Sequence, residues 1–296
     1  MSVCLLCPRK CEVDRSRGEL GFCRVGNAMR VSRYSLHMWE EPPVSAERGS
    51  GTIFFAGCNL RCEFCQNMSI SHGGNLGKEV SVDGLCDIML ELEDMGAENI
   101  NLVTPTHFSD KIALTLERIK DKLTIPVVYN SSGYESVESL SRLEGLVDVY
   151  LPDYKYFSCD LAKKYSSAPN YREIAEAAIL EMYRQAGSAV LDERGVIRKG
   201  LIVRHLILPS HRHDSMEIVK RLSLLLPKKD FFVSLMSQYT PDFAIEANSP
   251  HKELHRRLTS FEYSSVVDLA ASLGLSGFCQ DRSSAVASFT PDFNQK

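Results

Sequence analysis

The chain has 296 residues, 44% hydrophobic and 24% charged, the balance of a soluble protein able to bury a sizeable core. Its formal charge of -4, with basic residues scattered rather than clustered, excludes the electrostatic footprint of a nucleic-acid or anionic-membrane binder. No apolar run approaches the roughly 20 residues of a membrane span, and cysteines and charges stand where a secretory signal would be apolar, so a cytoplasmic protein is expected.

Residues 1–30 are rich in cysteine, arginine and glycine and show little periodicity. Such a segment is held by a metal more readily than by a core. Cys4, Cys7, Cys11 and Cys23 supply four thiolates with no open position. That closed set suits a structural zinc or a second iron-sulfur cluster, and spacing does not decide between them. Grouped cysteines in a reducing compartment point to metal rather than to disulfides. Cys86, Cys159 and Cys279 are isolated and read as ordinary thiols. Residues 1–48 are therefore set apart as a cysteine-rich appendage and residues 49–296 as the main domain. The stretch from Arg30 to Ser45 reads as extended and suited to pair with an edge of that domain.

From Gly49 onward, short apolar runs alternate with longer segments of helical period, the pattern of parallel strands crossed over by helices. The predicted strands are Thr52 to Ala56, Ile100 to Val103, Pro126 to Tyr129, Val147 to Leu151, Leu201 to Leu208 and Phe231 to Met236. Helices are predicted near Asp83 to Met95, Ser109 to Lys122, Glu135 to Glu144, Tyr171 to Gln185, Ser215 to Leu225 and His251 to Ala271. Polar residues follow nearly every strand, where active sites of barrels and open parallel sheets form. After the first strand, Cys58, Cys62 and Cys65 place three thiols on one short loop. Three thiolates leave one iron of a 4Fe-4S cluster open for a substrate.

This Cys-x3-Cys-x2-Cys spacing, with Phe64 before the last cysteine, resembles the signature of radical S-adenosylmethionine (radical SAM) enzymes. The run through Trp39-Glu-Glu-Pro-Pro, Phe64-Cys-Gln-Asn67, Asn101-Leu-Val-Thr-Pro-Thr-His107, Tyr150-Leu-Pro-Asp-Tyr-Lys-Tyr156 and Arg204-His-Leu resembles the PflX-type branch, similar to pyruvate formate-lyase activating enzymes. The resemblance implies an α/β fold, a partial (β/α)6 TIM-like barrel, a 4Fe-4S cluster on the three cysteines, S-adenosylmethionine, and a 5'-deoxyadenosyl radical that abstracts hydrogen. Phe64, Asn67, Thr104, Thr106, Asn130, Ser131, Asp153, Lys155 and Arg204 are the candidate cofactor-binding residues. Asp153 and Lys155 match an Asp-x-Lys that contacts it. Asn130 replaces the aspartate of an Asp-Thr-Asn-Gly loop, and Thr104 to His107 replaces a Gly-Gly-Glu motif. Arg204, in an apolar strand, is expected to meet a carboxylate of the cofactor, substrate or protein.

An external one-electron reductant of flavodoxin or ferredoxin type is implied as a partner, and the abstracted hydrogen comes from a glycine of a partner protein if the resemblance extends to substrate. Modification of another peptide or of a small molecule is the alternative within the enzyme class. A non-catalytic electron-transfer or interaction protein is the alternative outside it. No residue names the substrate.

Overall fold

The apolar runs assemble into one sheet in the computed structural model, which describes residues 3–73, 76–241 and 249–280. β1 (Met29–His37) lies antiparallel to β2 (Ser50–Phe55) and, on its other side, to β3 (Lys78–Val80). From β2 the sheet is parallel and strictly sequential, through β4 (Ile100–Val103), β5 (Val127–Ser131), β6 (Val149–Pro152), β8 (Ile197–Leu206), β9 (Phe232–Met236) and β10 (Gly277–Cys279). β7 (Val190–Leu191) pairs antiparallel with β8. Strand order that never reverses separates this winding from a doubly wound sheet. It also brings the loops after the strands to one end.

Side chains alternate between two apolar layers. One face, with Ile100, Leu102, Tyr129, Tyr150 and Val203, packs into the main core under the helices. These include α3 (Val82–Asp94), α4 (Ser109–Ile119), α7 (Tyr171–Ala186), α8 (Arg212–Leu225) and α9 (Ser260–Ser272). The opposite face gathers Val128, Val149, Leu151, Ile197 and Ile202 around Val44. Strands buried on both faces explain why they read as continuous apolar runs. Val44 belongs to α1 (Pro42–Ser45), and its full burial there is worth about 1.5–3 kcal/mol. Asn99 fixes α1 by donating its side-chain amide to the Val44 carbonyl at 2.7 Å.

The structure redraws some boundaries. The stretch expected to be extended does pair with the main sheet, as β1 beside β2, but its end, Pro42–Ser45, is helical and packs Val44 against the sheet. The predicted helix from His251 to Ala271 is instead a 3-10 turn, Lys252–Leu254, followed by α9. Thr259 starts α9 with a reciprocal capping box to Glu262, which satisfies free N–H groups at that point and defines a new helix start. The helix after β5 shrinks to α5 (Val137–Ser141), capped by Ser136. α2 (Met68–Gly73) and α6 (Cys159–Ser166) were not predicted, nor were β3, β7 and β10. Among the described residues no helix is long and apolar enough to cross a membrane.

Candidate functional site

Cys58, Cys62 and Cys65 leave the C-terminal end of β2 on one loop. The loop opens at Gly57, whose φ of +82° lies in the left-handed region, and a Cβ there would stand 2.5 Å from the Cys23 carbonyl oxygen. Only glycine meets both demands. The Leu60 N–H donates to Cys58 Sγ at 3.3 Å, and the Ser71 hydroxyl donates to Cys65 Sγ at 3.3 Å. Burial pushes the Cys58 thiol up to about 12, with repulsion from Cys62 and Cys65 adding to it, and burial likewise raises Cys65. Thiols desolvated together, with donors aimed at their sulfurs, fit a cationic group that holds them as thiolates. Among the described residues no three His, Cys, Asp or Glu side chains converge on a single metal ion. A 4Fe-4S cluster asks for something else, since each thiolate serves its own iron.

Cys62 and Cys65 open onto a cavity of about 660 Å³, with Asp153, Lys155, Arg204 and Asn130 also on its walls. Asp153 joins the two cations: Lys155 Nζ donates to it at 2.5 Å and Arg204 Nε at 2.9 Å. Arg204 also donates to Asn130 Oδ1 at 2.6 Å and to Glu40 at 3.3 Å. Burial works against the Asp153 charge, yet Arg204 and Lys155 outweigh it and hold the carboxyl below its usual range. Burial also opposes the Lys155 charge, and Asp153 with the Cys62 thiol overcomes it and raises the ammonium. Both groups are thus ionised near neutrality. The loops carrying them are locked by Tyr171, whose hydroxyl accepts from the Lys155 N–H and lies 2.8 Å from the carbonyls of Ser132 and Asp153. Gly133, at φ +74°, leaves room for the Asp153 carbonyl.

Of the residues singled out in the sequence, Cys62, Phe64, Cys65, Asn67, Asn130, Asp153, Lys155 and Arg204 line this cavity. Cys58, Thr104, Thr106 and Ser131 do not. The Thr104 N–H donates to the Asn130 carbonyl, and the Thr106 hydroxyl donates to buried Glu135. Ser131 accepts from the Gly133 N–H, closing the turn. His107 is buried and packed, with Nε2 2.7 Å from the Ala56 carbonyl. Arg204 meets the expected carboxylate within the protein itself. The sequence reading missed Glu40, Glu41 and Gln66 as lining residues; its signal was a pair of acids directly before two prolines.

The N-terminal cysteines lie against the back of the same loop. Burial pushes Cys7 up to about 12, with Cys23 and Cys11 adding to the rise, and burial raises Cys23, with Cys4 and Cys11 adding. Arg9 ties the segment down by donating to the carbonyls of Asn59 (2.8 Å), Ser166 (2.8 Å) and Ser167 (2.6 Å). Its guanidinium stacks 3.8 Å from the centre of the Phe22 ring, and Arg61 of the three-cysteine loop approaches the same ring.

Comparison with known proteins bears on this geometry. The radical SAM superfamily pattern matches residues 52–199. An uncharacterized protein of Methanocaldococcus jannaschii is 32% identical over 281 residues, covering 92% of this chain and 75% of its own length. A radical SAM methyltransferase from Sphaerobacter thermophilus superposes with a TM-score of 0.53 at 13% identity, covering 78% of this chain and 66% of its own. This chain thus spans just under two thirds of that methyltransferase. A spore photoproduct lyase variant gives a TM-score of 0.50 at 9% identity, over 84% of this chain and 80% of its own. These two structures speak for the fold. The family pattern over the cysteine loop and the strands that follow it shows that this chain belongs to the radical SAM superfamily, whose chemistry is cleavage of S-adenosylmethionine at an iron-sulfur cluster.

Proposed function

We propose that Cys58, Cys62 and Cys65 hold three irons of a 4Fe-4S cluster, leaving the fourth to the amino-acid end of S-adenosylmethionine in the adjoining cavity. The observation that carries this reading is the single cavity in which Cys62 and Cys65 face Asp153, Lys155 and Arg204. When bound, the cluster supplies the electron that splits the sulfonium and gives a 5'-deoxyadenosyl radical for hydrogen abstraction. The chain's own residues bind and orient. Lys155, kept charged by Asp153, neutralises the cofactor carboxylate; Asp153 accepts from its ammonium or a hydroxyl; Phe64, Asn67 and Asn130 line the slot. We read the sequential parallel sheet as a partial (β/α)6 barrel and the chain as PflX-type, similar to the activating enzymes. On that reading the hydrogen comes from a glycine of a partner protein and the electron from a flavodoxin- or ferredoxin-like donor.

Cys4, Cys7, Cys11 and Cys23 do not converge on one ion as they stand, and in our reading a second metal, zinc or iron-sulfur, would gather them and brace the cluster loop through Arg9 and Cys23. Elemental analysis before and after Cys7→Ser distinguishes the two metals. The function itself is tested by anaerobic reconstitution, reduction and a search for 5'-deoxyadenosine after S-adenosylmethionine is added. Wild type makes it and Cys62→Ala makes none. A reducible cluster without product, or full activity in Cys62→Ala, refutes the reading.

A further inference from the structure

The cavity that Cys62 and Cys65 line also carries a feature that cofactor binding does not use. Glu40 and Glu41 precede two prolines, and a residue before proline is steered away from the helical region. Glu41 accordingly sits at φ -51° and ψ 144°, at the start of α1. The backbone around it is fixed: the Glu40 N–H donates to Ser45 Oγ at 2.9 Å, the Val44 N–H to the Glu41 carbonyl at 2.8 Å, and Val44 is plugged into the sheet. Both carboxylates line the cavity and both are buried, with side chains 9% and 5% exposed. They share a single guanidinium. Arg204 Nη1 lies 3.3 Å from Glu40 and 4.0 Å from Glu41, while its Nε serves Asp153 and its Nη2 serves Asn130. Among the described residues Glu41 Oε2 has no hydrogen-bond partner.

Charge along this wall does not balance. The acids are Glu40, Glu41 and Asp153; the bases on the cavity lining are Lys155, Arg204 and His37, and burial lowers His37 so that it is neutral near pH 7. Burial raises the Glu40 and Glu41 carboxyls above the usual range against the pull of Arg204, so two cations do not hold all three acids ionised, and a further cation would restore the charge. An unpaired buried carboxylate is costly, and a protein that preorganises one in a cavity supplies a place for a cationic partner. The order of contacts, Lys155 to Asp153 to Arg204 to Glu40 and Glu41, sets this place at the far end of the chain of ion pairs from the cysteines. We propose that Glu40 and Glu41 anchor a cationic nitrogen of the substrate, a primary ammonium that donates to Glu41 Oε2 and completes the charge balance. The substrate class is an amine, either free or as a lysine side chain. A lysine side chain is compatible with the partner-protein substrate proposed above, whereas a free amine would replace it; the inference rests on the proposed function only in assigning Lys155 and Asp153 to the cofactor.

Calorimetric titration of the full-length, anaerobically reconstituted protein with butylammonium chloride, sodium butyrate and butanol tests the anchor. Butylammonium saturates a site and the other two do not. Glu41→Gln weakens it by about tenfold, the loss of one charge-assisted hydrogen bond. Saturating S-adenosylmethionine leaves butylammonium binding in place. Nα-acetyl-lysine amide binding more tightly than butylammonium identifies a peptide source, and weaker binding a small amine. Equal binding of butyrate, no saturable amine binding, an unchanged Glu41→Gln affinity, or displacement by S-adenosylmethionine overturns the inference; the probe comparison on wild type stands even if the variant fails to fold. Amine binding without formation of 5'-deoxyadenosine refutes the proposed function and leaves this site standing.

Discussion

Asp153→Asn removes one charge and keeps the shape, so it isolates the electrostatics of the cavity wall. Asp153 is 8% exposed and accepts from Lys155 at 2.5 Å and from Arg204 at 2.9 Å. The amide keeps an acceptor oxygen but no compensating charge, and it turns an N–H₂ toward one of the two cations. Arg204 retains Glu40 and Asn130, whereas Lys155 has no second carboxylate in its ion pair. Breaking a buried pair on one side costs about 3–5 kcal/mol, a large share of the roughly 5–15 kcal/mol that holds a domain. Urea unfolding of the metal-free protein at pH 7.5 measures that loss. Glu144→Gln is the internal control: its partner Arg184 is reached on the open surface, both side chains being about half exposed, and the unfolding midpoint should not move. A loss below about 1 kcal/mol in Asp153→Asn would falsify the claim that Lys155 and Arg204 are desolvated around this carboxylate.

Two further substitutions probe the scaffold. Gly57→Ala forces a side chain into a left-handed residue and against the Cys23 carbonyl, so the cluster loop and the N-terminal segment part; stability falls by more than about 1 kcal/mol and iron uptake on reconstitution drops. Unchanged iron content in a folded variant refutes that packing. His205 is buried, with Nδ1 2.7 Å from the Tyr154 carbonyl and Nε2 2.8 Å from Ser215 Oγ, and burial depresses its pKa to about 4. Its stabilisation is present above the unfolded value near 6.5 and is lost as pH falls toward 4. Between pH 7.5 and 5 the wild type should lose about 2 kcal/mol more than His205→Asn, measured by urea unfolding at each pH. Parallel pH profiles contradict a neutral, buried imidazole.

How much of this was readable beforehand follows from where the information lies. The parallel strands were visible because strands covered on both faces must be apolar throughout, and the three cysteines because their spacing lies within one loop. Asp153 and Lys155 were legible for the same reason, standing two apart just after β6. Partnership across the sheet was not. Nothing local to Arg204 says that it takes Asp153 from the neighbouring strand, or Glu40 from a segment 164 residues earlier. Thr106 misled because its hydroxyl was available in the sequence and is spent on Glu135 in the fold. α6 escaped because eight residues show too little period, although Ser158 caps it.

The segment before β2 is the instructive case. Read locally, it was part of a metal-bound appendage. In three dimensions it divides by what it packs on: the stretch up to Cys23 lies against the cluster loop at Gly57 and Asn59, while α1 passes into the second apolar layer of the sheet and carries two acids with it. A chain that places Glu-Glu beside Val44, which is fully buried, must have a use for carboxylates in that position, because leaving them unpaired would cost more than Val44 contributes. Arg204 meets part of that demand, through the same guanidinium that steadies Asp153. Cofactor wall and cavity floor are therefore electrostatically coupled, and a cation arriving at Glu41 frees Arg204 to bind Asp153 more tightly. Lys155 would then share Asp153 with a stronger rival and hold its charge beside Cys62 less firmly, so occupancy at Glu41 is felt at the thiols.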